Sequence, residues 1–360
     1  MNPPTHFLQD ILRQPAEMAR AVDYLVGPGQ VALHKASAMV QSSRHVFVTG
    51  IGASWHAAVS AGSLLSLAGH PVYMQEAAEL LHFTEIPRGS VVVAISRSGR
   101  SIEIIQLLAK AKTSGAAVIG ITNSADSPLA LGSAAAIAIP AKLDHGISVN
   151  TYSTLLIAAA ALASSATTGF SAVAPFLLHT VSDAGQRLES WQVQIHESSW
   201  LADHAPYYFL ARGGSLGSCL EGRLLWEEGV KMPATAMSTS AFRHGPQEIV
   251  RPGVRFCMWI DQSRMRDQDL SVARDLRELG ASVMLIGEKL PPDAGDLVCQ
   301  LPSSPADWQF AVDVLPIQLA AERLSRMVGV DCDSFRVCSY IVEDEHGLLG
   351  KKAEVPQDAD

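Results

Sequence analysis

The 360-residue chain is short of positive charge: 27 Lys and Arg stand against 36 Asp and Glu, a formal net charge of −9 at pH 7. Such a balance leaves no broad basic face from which counterions can be released, so nucleic acid and anionic membranes are not expected partners. A small anion site remains open, because backbone amides and hydroxyls make one without net charge. Cysteine is scarce as well. Cys219, Cys257, Cys299, Cys332 and Cys338 are odd in number, scattered, and form no C-x-x-C pair. That argues against a disulfide framework or a zinc site, and for a reducing cytoplasm. Long apolar runs are missing. The most apolar, LLIAAAALA at 155–163, falls far short of the roughly 20 residues a membrane span needs, and reads as a buried alanine-rich helix. The N-terminus MNPPTHFLQD lacks the basic and apolar regions of a secretory signal. What the chain does have is apolar content of 48%, enough to fill two cores at a length suited to two domains.

Apolar residues recur at helical spacing over 7–26, with Gln14-Pro15 as an interruption. This predicts two short helices or one kinked helix, an N-terminal arm within residues 1–30. Another helix is expected over 30–43. After it, β-rich runs at 45–49 (HVFVT), 90–95 (SVVVAI) and 117–122 (AVIGIT) each precede a stretch of helical period. Apolar strands alternating with helices predict a parallel sheet covered on both faces. The second half repeats the pattern. At an offset of 162, Gly52 falls on Gly214, Pro71 on Pro233 and His82 on His244; at 165, Ile95 falls on Ile260, Ser98 on Ser263 and Gly115-Ala116 on Gly280-Ala281. Recurring glycine and proline mean recurring turns. The expected fold class is therefore α/β, with two tandem units at 31–180 and 181–345, an amphipathic helical join near 168–195, and a C-terminal tail at 346–360, charged over 350–360.

Four motifs are candidates for chemistry. Gly50-Ile51-Gly52-Ala53-Ser54 follows a strand, where glycines let backbone approach a ligand and the next helix start favours an anion. Trp55 takes the third glycine's place of G-x-G-x-x-G, which disfavours a dinucleotide. Ser96-Arg97-Ser98-Gly99-Arg100-Ser101 also follows an apolar strand, and its hydroxyls suit a phosphate or, equally, simple helix capping. In the helix at 220–230, LEGRLLWEEGV, Glu221, Leu225 and Glu228 share one face. A carboxylate beside Leu224, Leu225 and Trp226 is a candidate general base, and a solvated acidic face is the alternative. Phe242-Arg243-His244-Gly245-Pro246 places a histidine on a bent loop, where a purely structural role is the alternative.

In this order the motifs resemble the sugar isomerase (SIS) family, in particular the tandem arrangement found in the isomerase half of glucosamine-6-phosphate synthase. The resemblance covers nearly the whole chain and implies two αβα sandwiches with mostly parallel sheets. It implies a sugar-phosphate loop at Gly52 and Ser54, a phosphate grip at Ser96, Arg97, Ser98 and Ser101, and a substrate-lining segment at 146–152 that includes Ser148. Glu221 and Glu228 fall on the family's two-glutamate helix, and His244 on its ring-opening motif.

The chemistry implied is that of a phosphosugar isomerase or amino-sugar-phosphate deaminase acting without a cofactor or metal. Its ligand is a hexose 6-phosphate or amino-sugar phosphate. His244 would open the ring, Glu228 would move the proton between C1 and C2, and Glu221 would hold sugar hydroxyls. A homodimer with sites shared across the interface is implied too. Three positions depart from the family: Leu225, Asn150 and Tyr340 stand where relatives have lysine, and Tyr340 retains a hydrogen-bonding hydroxyl. No N-terminal cysteine or glutaminase segment is found, so ammonia is not expected to come from glutamine. A fructosamine-6-phosphate deglycase and a non-catalytic sugar-phosphate sensor are the alternatives. In the second unit Asp261 replaces the serine equivalent to Ser96, which predicts one phosphate site per chain.

Overall fold

A computed structural model describes residues 3–342, 344, 347 and 348; the charged tail expected at 350–360 lies outside the described residues. The first half carries strands β1 (Val46–Thr49), β2 (Val72–Met74), β3 (Val91–Ile95), β4 (Ala117–Thr122) and β5 (Ala135–Ala138). Its helices are α1 (His6–Val26), α2 (Gln30–Ser42), α3 (Ala53–Leu67), α4 (Ala77–Phe83), α5 (Ile102–Ser114), α6 (Pro128–Gly132), α7 (Asn150–Ala166) and α8 (Phe170–Glu197). The second half carries β6 (Tyr207–Ala211), β7 (Ala234–Ser238), β8 (Arg255–Trp259), β9 (Ser282–Glu288) and β10 (Leu297–Leu301), with α9 (Ser215–Leu225), α10 (Thr239–Phe242), α11 (Arg266–Glu278) and α12 (Leu315–Met327).

Each half forms one five-stranded sheet, in the orders β2-β1-β3-β4-β5 and β10-β9-β8-β6-β7. The second, read from its other edge, is the first order again, so the sequence repeat is a repeat of topology. The strand pairs are parallel. Every residue of β1 and β3 is buried, because β-branched side chains on both faces are covered by helices. The sequence reading of two α/β units with parallel sheets is what the chain adopts.

The N-terminal segment forms a single helix that runs through Pro15. Pro15 is buried and lies against α8, where a side chain on Gly185 would approach it to 3.3 Å. Packing of Ile11, Met18, Val22 and Leu25 into the core outweighs the one hydrogen bond proline removes. The alanine-rich run is the buried centre of α7. No helix among the described residues is long and apolar enough to cross a membrane.

The two halves meet where α3 crosses α9. A Cβ at Gly217 would stand 2.4 Å from the carbonyl oxygen of His56 and 2.1 Å from Ser60 Oγ, so only glycine allows this approach. Ser60 donates to the carbonyl of Gly214 at 2.7 Å, and His56 Nδ1 lies 2.7 Å from Glu221 Oε2. Both His56 and Glu221 are buried. Gly217→Ala is expected to force the helices apart and lower stability by about 1–3 kcal/mol, measured by urea unfolding; an unchanged midpoint would show that the crossing has slack.

Candidate active site

In the order β2-β1-β3 the chain leaves β1 and β3 on opposite sides, and the crevice at such a switch point is where α/β sheets hold ligands. A cavity of about 200 Å³ lies there. Gly52 and Ser54 line it from the turn after β1, and Ser96, Arg97, Ser98 and Ser101 from the turn after β3. Ser148, Glu228 and Tyr340 complete the wall. Nine residues singled out in the sequence are thus brought together, from segments as distant as 52 and 340.

The turn after β3 is held by its own hydroxyls. Ser96 Oγ accepts from Gly99 N at 3.1 Å, and Ser98 Oγ accepts from Arg100 N at 3.2 Å. Accepting uses a lone pair and leaves each O–H as a donor. Gly99 has φ +61°, and a Cβ there would strike Ser127 Oγ at 2.4 Å. Ser101 is the N-cap of α5 without a side-chain capping bond. Of the two arginines, Arg100 turns outward to Asp126, 3.4 Å away. Arg97 faces the cavity: it donates to Ser148 Oγ at 2.8 Å and to the Tyr340 carbonyl at 2.7 Å, with its guanidinium 3.9 Å from the Tyr340 ring centre. The C-terminal segment therefore lies across the site. It is tied further by Ile102 N donating to the Val342 carbonyl (3.1 Å) and Lys231 Nζ donating to the Ser334 carbonyl (2.8 Å).

Ser148 is positioned by a buried carboxylate. Asp144 accepts from Val149 N, Asn150 N, Asn150 Nδ2, Thr151 N and Thr151 Oγ1 at 2.6–3.1 Å. Asn150, at a lysine position of the resembled family, is buried here, with Nδ2 also donating to the Asp10 carbonyl, and it does not line the cavity.

The two glutamates do not share a task. Glu221, expected to hold sugar hydroxyls, lies off the cavity and pairs with His56. Glu228 enters the cavity because α9 runs into a π-helical turn at Trp226–Val230. Its i→i+5 bonding widens the helix and rotates Glu228 off the face of Glu221. The turn ends at Lys231 with φ +59°, whose Nζ donates to the Glu228 carbonyl. Burial pushes the Glu228 carboxyl up to about 7; Glu221 adds to the rise, while Arg97 and Lys231 oppose it. A carboxyl that titrates near neutrality is suited to take and return a proton. Leu225, another of the three lysine positions, is fully buried, and Leu224 faces the cavity instead. His244 also lies outside the cavity, exposed on the turn after α10.

The run at 333–340 resembles the family's closing segment in sequence, with Tyr340 alone singled out there; Phe335 and Cys338 of the same run also line the cavity. Cys338 is close enough for Glu228 to help raise its thiol, after burial, the larger cause.

Fold and site define a tandem α/β protein in which a serine-rich turn and a carboxylate share one cavity. Residues 39–165 match the family described as the SIS domain, and the chain shows homology to an isomerizing aminotransferase. That relative, the glutamine–fructose-6-phosphate aminotransferase of Pyrococcus horikoshii, is 24% identical over 344 residues, 91% of this chain and 56% of its own. The chain thus spans about half the length of the curated relatives it matches. Among solved structures it resembles the C-terminal domain of glucosamine-fructose-6-phosphate aminotransferase from Francisella tularensis (TM-score 0.81, 21% identity, 92% of this chain and 98% of that one). It also resembles glucosamine-6-phosphate deaminase from Thermotoga maritima (TM-score 0.78, 20% identity, 94% and 99%).

The raised Glu228 carboxyl predicts a pH-dependent stability. Its folded pKa of about 7 lies above the ordinary 4.5, so the folded state binds the extra proton and loses stability as pH rises through that window. Glu228→Gln should match the parent below pH 4 and exceed it at pH 8 by on the order of 3 kcal/mol, read from urea midpoints at both pH values; equal midpoints at pH 8 would mean that the carboxyl is not desolvated.

Proposed function

We propose that the chain is an enzyme acting on an amino-sugar 6-phosphate, by ring opening and a proton shift between C1 and C2 that ends in loss of ammonia. The observation that carries this reading is Glu228, with its carboxyl near 7, in one cavity with the Ser96–Ser101 turn and Arg97. The phosphate takes the hydroxyls and amides of that turn, with Arg97 exchanging the Tyr340 carbonyl for a phosphate oxygen. Glu228 removes the C2 proton as the C1 oxygen gains one, giving an enolamine. Return of the proton to C1 leaves CH2OH there and an imine at C2, which water hydrolyses to the ketose and ammonia.

Ring opening falls to His244. Its exposed place outside its own chain's cavity supports delivery from a second copy, so a homodimer with shared sites is part of the proposal. A fructosamine-6-phosphate deglycase has less support: Asn150 is folded into the Asp144 cluster rather than opening room beside Tyr340, and about 200 Å³ leaves little space for an amino-acid leaving group.

The test is ammonia release and ketose formation across a panel of hexosamine 6-phosphates. Glu228→Gln should lower kcat by roughly 10²–10⁴-fold with little change in KM; equal loss in both would assign Glu228 to binding. Mixing Glu228→Gln and His244→Ala chains should restore part of the activity, and no rescue would count against a shared site. Ser98→Ala should weaken binding of phosphorylated sugars by about 1.5–3 kcal/mol without lowering Tm, and unchanged affinity would place the phosphate elsewhere. Should no sugar turn over while one raises Tm, the sensor reading replaces the enzyme.

A further inference from the structure

A second cavity, of about 480 Å³, opens at the matching switch point of the other sheet. The turns after β6 (Arg212–Leu216) and β8 (Asp261–Met265) line it, and α3 forms the wall that α9 forms for the first cavity. The repeat offsets relate the two residue by residue. At 162, Ser66 stands where Glu228 stands and Gly62 where Leu224 stands; at 165, Asp261 stands at Ser96. Each replaced residue lines its cavity, as its counterpart does.

These replacements change the chemistry in a consistent direction. A serine at 66 puts no carboxylate at the place that Glu228 takes in the first cavity. Glycine in place of Leu224 makes room for Met74, whose Sδ a Cβ there would meet at 2.6 Å and which lines the cavity. Asp261 fills the anion cradle from within: its Oδ2 accepts from Ser263 N at 3.2 Å and Met265 N at 2.9 Å. Only Oδ2 is used in this way. The charged residues lining the cavity are Asp261 and Asp307 against Arg212 and Arg264, and behind them Asp269, Glu288 and Asp313 bond to Arg212, Gln262 and Ser215. Arg264 is taken up by Asp307, and Arg212 Nε donates to Asp269 Oδ1 at 2.7 Å. A phosphate dianion meets both a filled cradle and a like charge.

What remains suits a sugar that lacks phosphate. Arg212 Nη2 is buried without a partner, a donor for a hydroxyl. Asp261 Oδ1 is an acceptor, and Met265, Leu216 and Phe310 offer apolar surface for the C–H face of a ring. We propose that this second cavity is a non-catalytic binding site for an unphosphorylated sugar, preferentially an amino sugar in its ammonium form. The site stands apart from the reaction assigned to the first cavity and does not depend on it.

The experiment is saturation-transfer NMR on the full chain with glucosamine, glucose and glucosamine 6-phosphate as probes. Glucosamine should receive transfer that survives saturating inorganic phosphate and the Ser98→Ala change. Ser66→Phe, which fills the cavity from an exposed position of α3, should weaken glucosamine at least tenfold and leave glucosamine 6-phosphate unaffected. Asp261→Asn should weaken glucosamine more than glucose, and this arm decides if melting curves show that Ser66→Phe does not fold. Absence of transfer at millimolar glucosamine, its removal by phosphate, or unchanged affinity in the substituted chains would overturn the proposal.

Discussion

The crossing of α3 over α9 is the constraint on which both cavities depend. Each helix begins at the glycine turn of its own sheet and serves as a wall for the other unit's cavity. Gly217 sets how near the axes come, and the Ser60–Gly214 and His56–Glu221 contacts set the rotation. A shift at this crossing moves Glu228 relative to the Ser96–Ser101 turn, although neither belongs to the crossing itself. The distance between the Glu228 carboxylate and the serine turn is therefore a property of helix packing, and close-packed interiors transmit such shifts with little loss.

The environment divides labour between two carboxylates seven residues apart. Glu221 is buried against the imidazole of His56 and serves the interface. Glu228 is partly desolvated, feels Glu221 as a like charge, and sees Arg97 and Lys231 only as partial compensation. Environments that push neighbouring carboxyls toward different roles are the usual way one scaffold obtains an acid–base group near neutrality.

How much of this was legible in the sequence follows from the range of the interactions concerned. Strands, the tandem repeat and the serine turn were readable, because alternation and turn glycines are local signals. The choice between two short helices and a single one over 7–26 was not, since Pro15 packs near Gly185, 170 residues away. Ideal helical spacing put Glu221 and Glu228 on one face; the π-helical turn separates them, and nothing in LEGRLLWEEGV announces it. Arg97 and Arg100 look alike in sequence. Asp126 draws one away, and Ser148 with the C-terminal segment holds the other. Asn150 looked like a lining residue, yet an acid six positions upstream folds it inward.

That same acid decides which helix origins remain available to a guest. The amides opening α7 are claimed by Asp144, and those of the turn before α11 by Asp261. Both are covalently tethered anions that no solute can displace at ordinary concentration. At α5 the first amide meets only the uncharged Val342 carbonyl, a weaker partner than a carboxylate. Of these three helix origins, that of α5 alone has no resident carboxylate, so the three differ in charge without any steric exclusion.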